Sequence, residues 1–154
     1  MDKVVLDTSV IVKWFSQERG HQKAIAILDQ LVEGRTKLVE PELIFYELIN
    51  AFWFGRKFTT KKISRIIEEF TNLEPEIVLL RSNKLGLLRS NKLGLFKPNL
   101  IEAILVLIKR CPITAYDASF IAIAEEYQIP LVTADTQHHK KTFSKFIVSL
   151  NEFI

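Results

Sequence analysis

The sequence has a single cysteine, Cys111, so no disulfide can form within the chain. One unpaired cysteine is typical of a protein from a reducing compartment, and we therefore expect a cytoplasmic location. The first six residues read Met-Asp-Lys-Val-Val-Leu and are followed by the acid Asp7, which leaves no room for the apolar segment of a signal peptide. We expect a protein that needs neither a disulfide nor a secretory leader.

Long apolar runs are missing as well. The run at residues 104–108 is bounded by Glu102 and Lys109, whereas a membrane-spanning helix needs about 20 apolar residues. We therefore expect a soluble protein without a membrane segment. The chain also lacks a Gly-x-Gly-x-x-Gly fingerprint and a phosphate-binding glycine loop, so the sequence does not predict a dinucleotide or nucleoside triphosphate site.

What the chain does contain is the composition of one globular domain. It has 154 residues, of which 48% are hydrophobic and 25% are charged, and a chain of this length buries roughly two-thirds of its unfolded surface. We predict a single domain over residues 1–154. The formal net charge of +3 is a mild bias toward polyanions and decides little alone.

The distribution of charge is more informative than its sum. Residues 77–101 contain no acid, and within them lie our candidate contacts to nucleic-acid phosphates: Arg81, Lys84, Arg89 and Lys92. The alternative interpretation, a solvated basic face, fits the pattern equally well.

An octapeptide, LRSNKLGL, occurs twice in tandem at residues 80–95. The period is too short for a solenoid, whose repeats start at about 20 residues. A recent in-frame duplication explains the identity of the two copies, and we predict that it lengthens a loop or hairpin.

Short apolar runs alternate with helical patterns along the chain. Strands are predicted at residues 3–6, 37–39, 77–80, 131–133 and 146–150. A short helix capped by Thr8 or Ser9 is predicted to end at Phe15, and further helices are predicted at residues 20–33, 41–54, 60–70, 99–110 and 117–127. Such alternation predicts a three-layer α/β/α fold around a short, mostly parallel central sheet.

Four acids occupy unusual places in this pattern. Asp7 and Asp135 each follow a predicted buried strand, where open α/β sheets form their ligand crevice. Glu47 lies on the apolar stripe of its helix, and Asp117 shares a helix face with Phe120 and Ile121. All four carboxylates are therefore predicted to meet in one interior pocket.

Clustered carboxylates repel one another unless a cation neutralises them. A site made only of oxygen donors suits Mg²⁺ or Mn²⁺, and such an ion can lower the pKa of bound water and stabilise charge on a phosphoryl group. Each acid also has a structural interpretation: Asp117 as a helix N-cap, Asp7 and Asp135 as cap or turn residues, and Glu47 as a partner of Arg56 or Lys57.

Four segments resemble the PIN-domain family, and most closely its VapC toxins. They are Val-Leu-Asp7-Thr-Ser, Pro-Glu-Leu-Ile-Phe-Tyr-Glu47-Leu-Ile-Asn50-Ala, Tyr-Asp117-Ala-Ser-Phe-Ile-Ala-Ile-Ala-Glu, and Ile-Pro-Leu-Val-Thr133-Ala-Asp135. They occur in the family's order and span nearly the whole chain, whereas the octapeptide duplication departs from the family's pattern.

The resemblance implies a Mg²⁺- or Mn²⁺-dependent endoribonuclease with an acidic pocket of Asp7, Glu47, Asp117 and Asp135. It further implies that four polar residues orient carboxylates or metal-bound water: Thr8, Ser9, Asn50 and Thr133. Capping and turn hydrogen bonds are the alternative role of these four. A small antitoxin protein as partner and a homodimer are also implied.

Other functions fit the sequence less well. A haloacid-type phosphatase needs a second Asp two residues after the first, but position 9 is Ser. A response-regulator receiver needs paired acids at the first strand end and a later Asp with a Thr and a Lys, which do not align here. A PIN nuclease that processes RNA outside a toxin–antitoxin system and a catalytically silent PIN binding module stay open.

Overall fold

One parallel sheet organises the part of the chain that the computed structural model describes, which is residues 2–80, 100–135, 137, 140 and 142–153. Its strands lie in the order β3-β2-β1-β4-β5, and every neighbouring pair is parallel. The strands are β1 (Asp2–Leu6), β2 (Thr36–Pro41), β3 (Glu76–Val78), β4 (Leu131–Thr133) and β5 (Ile147–Ser149). The predicted α/β fold class is confirmed.

Helices connect these strands. In the described residues they are α1 (Thr8–Ile11), α2 (His21–Val32), α3 (Ile44–Asn50), α4 (Thr60–Thr71), α5 (Leu100–Arg110), α6 (Ala115–Tyr127) and α7 (Leu150–Phe153). A 3₁₀ turn (Val12–Phe15) extends α1, and a π-helical turn (Ala51–Gly55) extends α3. None of the described helices has the length and apolar character that a membrane crossing requires.

The order of the strands creates the crevice in which a site is expected. The chain runs outward from β1 to β2 and β3, and then returns to place β4 on the other side of β1. Because parallel crossovers are right-handed, this reversal puts the later helices on the opposite face of the sheet and gives three layers. A crevice opens at the carboxyl ends of β1 and β4, where the direction reverses.

Strand β1 lies at the centre of the core, and its last three residues, Val4 to Leu6, are completely buried. A parallel strand covered on both faces reads as a continuous apolar run, which explains why the sequence pattern located it. Among the largest buried side chains is Phe52, whose ring packs against Phe15 and Phe58 at centroid distances of 5.5 Å. Phe54, by contrast, is 73% exposed.

Helix starts differ from prediction at three places. Asp7 and not Thr8 or Ser9 caps α1, which is the structural alternative named for Asp7, and Thr114 in place of Asp117 caps α6. Pro41 does not open α3 but ends β2, where it pairs with Val78. The fixed φ of proline suits a strand end as well as a first helical turn, and the pairing with β3 decides between them.

Residues 81–99 lie outside the described part of the chain. They include nearly all of the octapeptide duplication and the four candidate phosphate contacts, Arg81, Lys84, Arg89 and Lys92. Those predictions stay predictions.

Glu76 on the edge strand β3 forms an ion pair with β1 and a hydrogen bond with α6. Lys3 Nζ donates to Glu76 Oε2 at 2.7 Å, and the Tyr127 hydroxyl donates to Oε1 at 2.9 Å. Burial alone would raise the pKa of Glu76, but these two donors and the charge of Lys3 outweigh it, so the pKa is lowered from 4.5. Burial and Glu76 together raise the pKa of Tyr127 to about 12.

We expect Glu76→Gln to lower stability at neutral pH by less than about 1 kcal/mol, as is usual for half-exposed ion pairs. Because the folded-state pKa of Glu76 is depressed, its contribution is present above 4.5 and is lost as pH falls through the lower folded-state value. The difference in melting temperature between wild type and variant should therefore shrink on acidification. Glu68→Gln, at an exposed position on α4, is the control, and a constant difference at all pH values would contradict the prediction.

Candidate active site

The carboxylate of Asp7 stands at the end of β1, in the crevice between β1 and β4. Its Oδ2 accepts hydrogen bonds from the hydroxyls of Ser9 and Thr133, both at 2.6 Å. Its backbone N–H donates to Val132 O at 3.0 Å, so that the main chain is tied to β4 at the same residue. Asp7 is 7% exposed, and it therefore has a rigid position with a small opening to solvent.

Thr133 and Ser9 join the two strand ends into one network. The Asp135 N–H donates to Thr133 Oγ1 at 2.9 Å, and the Ala134 N–H donates to Ser9 Oγ at 3.0 Å. Each hydroxyl thus accepts a bond from the turn after β4 and donates to Asp7. Asp7 Oδ2 is the nearer acceptor of the Thr133 hydroxyl, at 2.6 Å against 3.2 Å to Asp135 O, so both hydroxyls hold the carboxylate in its orientation.

A second hydrogen-bonded pair lies beside the first. Thr8 Oγ1 donates to Glu47 Oε2 at 2.5 Å and joins the start of α1 to α3. The half-buried Glu47 thus lies close to the residue after Asp7, as its position on the apolar stripe of α3 predicted. Asn50, one turn later, is exposed and makes no side-chain hydrogen bond within the described residues.

Asp117 takes part in the cap of α6. Its Oδ2 accepts from the Thr114 hydroxyl at 2.6 Å and from the Thr114 N–H at 3.3 Å, while its own N–H donates to Thr114 Oγ1 at 3.1 Å. This is a reciprocal capping box with Asp117 three residues after the N-cap. The structural interpretation of Asp117 is therefore partly correct, although Thr114 is the N-cap.

A cleft of about 120 Å³ connects Asp117 to the turn after β4, since Gln137 and Lys140 also line it. The Gln137 N–H donates to Asp135 Oδ1 at 3.0 Å. Asp135 is connected to this cleft through Gln137, which lines it, while Glu47 and Asp7 bond to the adjacent residues Thr8 and Ser9 respectively.

The sequence pattern missed one acid, Glu40. It lies in β2, is 0% exposed, and its Oε1 accepts the Leu6 N–H at 2.8 Å. Burial, and then the charges of Asp7 and Glu47, raise its pKa well above the ordinary value, and the bond from Leu6 only partly opposes them. A signal was present, because an acid between Val39 and Pro41 in a strand covered on both faces has to be buried.

The donors fit Mg²⁺ or Mn²⁺ in their chemistry, because the acids offer only hard oxygen ligands. In the described part of the chain, however, no three His, Cys, Asp or Glu side chains are arranged to hold an ion as they stand. Mg²⁺ commonly binds through one or two carboxylates and retains several waters. Asp7, together with Glu47 on the adjacent Thr8, offers two carboxylates for this mode.

The sequence profile of the PIN domain family matches residues 4–144, and the chain belongs to this family. PIN domains are generally nucleases. Among curated proteins, no sequence matches the chain significantly.

Several solved structures share the fold, among them the following two. PAE2754 from Pyrobaculum aerophilum is 21% identical, with a TM-score of 0.63 over 97% of this chain and 85% of its own. A toxin–antitoxin complex from Klebsiella pneumoniae is 16% identical, with a TM-score of 0.60 over 97% of this chain and 98% of its own. At these identities the likeness concerns the fold alone.

Proposed function

We propose that this protein is a divalent-metal-dependent endoribonuclease, and that it is the toxin of a type II toxin–antitoxin pair. The observation that carries the proposal is the Asp7 carboxylate, held by two hydroxyls at the sheet's switch point with Glu47 beside it. Membership of a nuclease family supports the hydrolase class.

Each side chain has a task in this proposal. Asp7 holds the cation, and the hydroxyls of Ser9 and Thr133 keep its carboxylate in one rotamer. Glu47, oriented by Thr8, holds water at the site, and Asp117 and Asp135 complete the negative potential. Bound Mg²⁺ or Mn²⁺ supplies a water of lowered pKa and stabilises charge on the scissile phosphate.

The partners are part of the proposal. The toxin–antitoxin complex with the same fold supports a small antitoxin protein, and we also propose a homodimer. A stripe of exposed apolar side chains along α3 and the π-helical turn supports a protein contact, since Tyr46, Ile49 and Trp53 are 69%, 43% and 48% exposed.

The test is cleavage of labelled single-stranded RNA by purified protein. We expect cleavage with Mg²⁺ or Mn²⁺, complete loss with excess EDTA, and recovery when Mn²⁺ is added back, because the cation is needed to generate the nucleophile. Single-stranded DNA of the same sequence is the substrate control, and slower cleavage of it is expected.

Undiminished RNA cleavage in EDTA would contradict the metal mechanism. Equal cleavage of DNA and RNA would contradict the RNA preference while leaving the nuclease assignment intact. No cleavage of any RNA, together with Mn²⁺ binding, would favour a silent PIN binding module.

A further inference from the structure

The buried carboxyl group of Glu40 lies outside the set of acids assigned to the site. Its side chain is fully buried, its Oε1 accepts the Leu6 N–H, and its Oε2 has no hydrogen-bond partner among the described residues. Burying such a group is unfavourable. What it contributes at this position is an acceptor for the backbone N–H of Leu6.

The strand register explains why a side chain is needed here. β1 pairs with β2 only from Asp2 to Val4, opposite Thr36 to Leu38. Further along β1, the Val5 and Asp7 N–H groups donate to Pro130 O and Val132 O on the β4 side. Because successive N–H groups of a strand point in opposite directions, the Leu6 N–H points toward β2. Glu40 accepts it, in place of a backbone carbonyl.

We infer that Glu40 is a positioning residue of the acidic site, which holds the end of β1 against β2 and thereby fixes the place of Asp7. The backbone just before Asp7 is tied to β2 through Glu40, and Asp7 itself is tied to β4 through Val132. With both sides held, the carboxylate that follows has no freedom to shift along the crevice.

The raised pKa of Glu40 is consistent with this role. Burial, and then the nearby charges of Asp7 and Glu47, raise the pKa of Glu40, so a further negative charge at this position is unfavourable. A neutral carboxyl group still offers the acceptor oxygen that Leu6 requires. What the Leu6 N–H requires at this place is an acceptor oxygen, because the contact is a hydrogen bond of 2.8 Å to Glu40 Oε1.

The experiment compares Glu40→Gln, which keeps the acceptor oxygen, with Glu40→Met, which removes it at similar size. Val39→Ala, at a fully buried neighbour on the same strand, is the control for general destabilisation. Amide hydrogen exchange of Leu6 and Asp7 is measured by NMR in metal-free protein, and Mn²⁺ affinity is measured by titration of the full-length chain.

We expect Glu40→Gln to keep both the protection of the Leu6 N–H and the Mn²⁺ affinity of wild type. Glu40→Met should lose that protection and bind Mn²⁺ about 10- to 100-fold more weakly, the usual effect of removing a group that orients a ligand. Val39→Ala should lower the melting temperature with little change in affinity.

Equal Leu6 protection in wild type and Glu40→Met would overturn the inference. So would a loss of affinity in Glu40→Gln as large as in Glu40→Met, since the charge and not the acceptor would then matter. The effect on Mn²⁺ rests on the proposed function, and wild-type protein that binds no Mn²⁺ would refute that function. The exchange of Leu6 would still decide the role of Glu40.

Discussion

Asp7→Asn is expected to reduce RNA cleavage by at least about a hundredfold, which exceeds the usual cost of losing a group that merely orients a ligand. The single amide oxygen of asparagine can accept from the Ser9 and Thr133 hydroxyls, as Asp7 Oδ2 does, and only the long 3.4 Å bond from the Ser9 N–H to Oδ1 is lost. What it lacks is the negative charge that binds a hard cation. The fold should therefore be preserved and the melting temperature without metal should not fall, because relief of repulsion among the acids offsets the lost cap bond, while activity is lost.

The measurement is kcat/KM with Mn²⁺ on single-stranded RNA, together with a thermal melt in EDTA. Asp29→Asn, at an exposed position on α2, makes the same change of charge away from the crevice and should keep wild-type activity. Activity of the Asp7 variant above a tenth of wild type would show that Asp7 does not hold the cation.

Asp117→Asn is expected to abolish most of the stabilisation that Mn²⁺ gives to the wild type. Ligand binding stabilises a protein only through affinity, by about 2.7 kcal/mol at a hundred times the dissociation constant. An asparagine oxygen can still accept the two bonds from Thr114, so the capping box survives. Removing one charge from the acidic region should raise the metal-free stability by about 1 kcal/mol or a few degrees.

Thr114→Ala is the matched control for the cap. It removes the hydroxyl that both donates to Asp117 and accepts the Asp117 N–H, and should cost about 1 kcal/mol of stability. It should nevertheless keep the full Mn²⁺ shift, because it leaves the carboxylate in place. If Asp117→Asn behaves as Thr114→Ala does, with a lower melt in EDTA and an unchanged Mn²⁺ shift, Asp117 serves only as a capping residue.

The sequence by itself determined the parallel sheet and the placing of Asp7 and Asp135 at strand ends. Both follow from local pattern, because a strand covered on both faces must be a short apolar run and the residue after it must leave the sheet. Glu47 was located by helical periodicity alone, since an acid on an apolar stripe must face the interior.

Residue type alone did not predict which residue caps each helix. Asp7, Thr8 and Ser9 are consecutive residues of types that all cap helices well, and propensity does not choose among them. The choice of Asp7 follows from its N–H being held by Val132, a contact with a residue far away in the chain. The place of Pro41 in β2 depends in the same way on its pairing with β3.

Only the tertiary structure decided the role of Glu40 and the hydrogen-bond partners of Asp7. The bond from Leu6 to Glu40 exists because β1 stops pairing with β2 after Val4, and the register of two strands is a property of the whole sheet. Likewise, Thr133 reaches Asp7 across the reversal of strand order. The spacing of apolar residues along the sequence predicts which residues are buried. The hydrogen-bond partners of a buried polar group depend instead on which strands become neighbours.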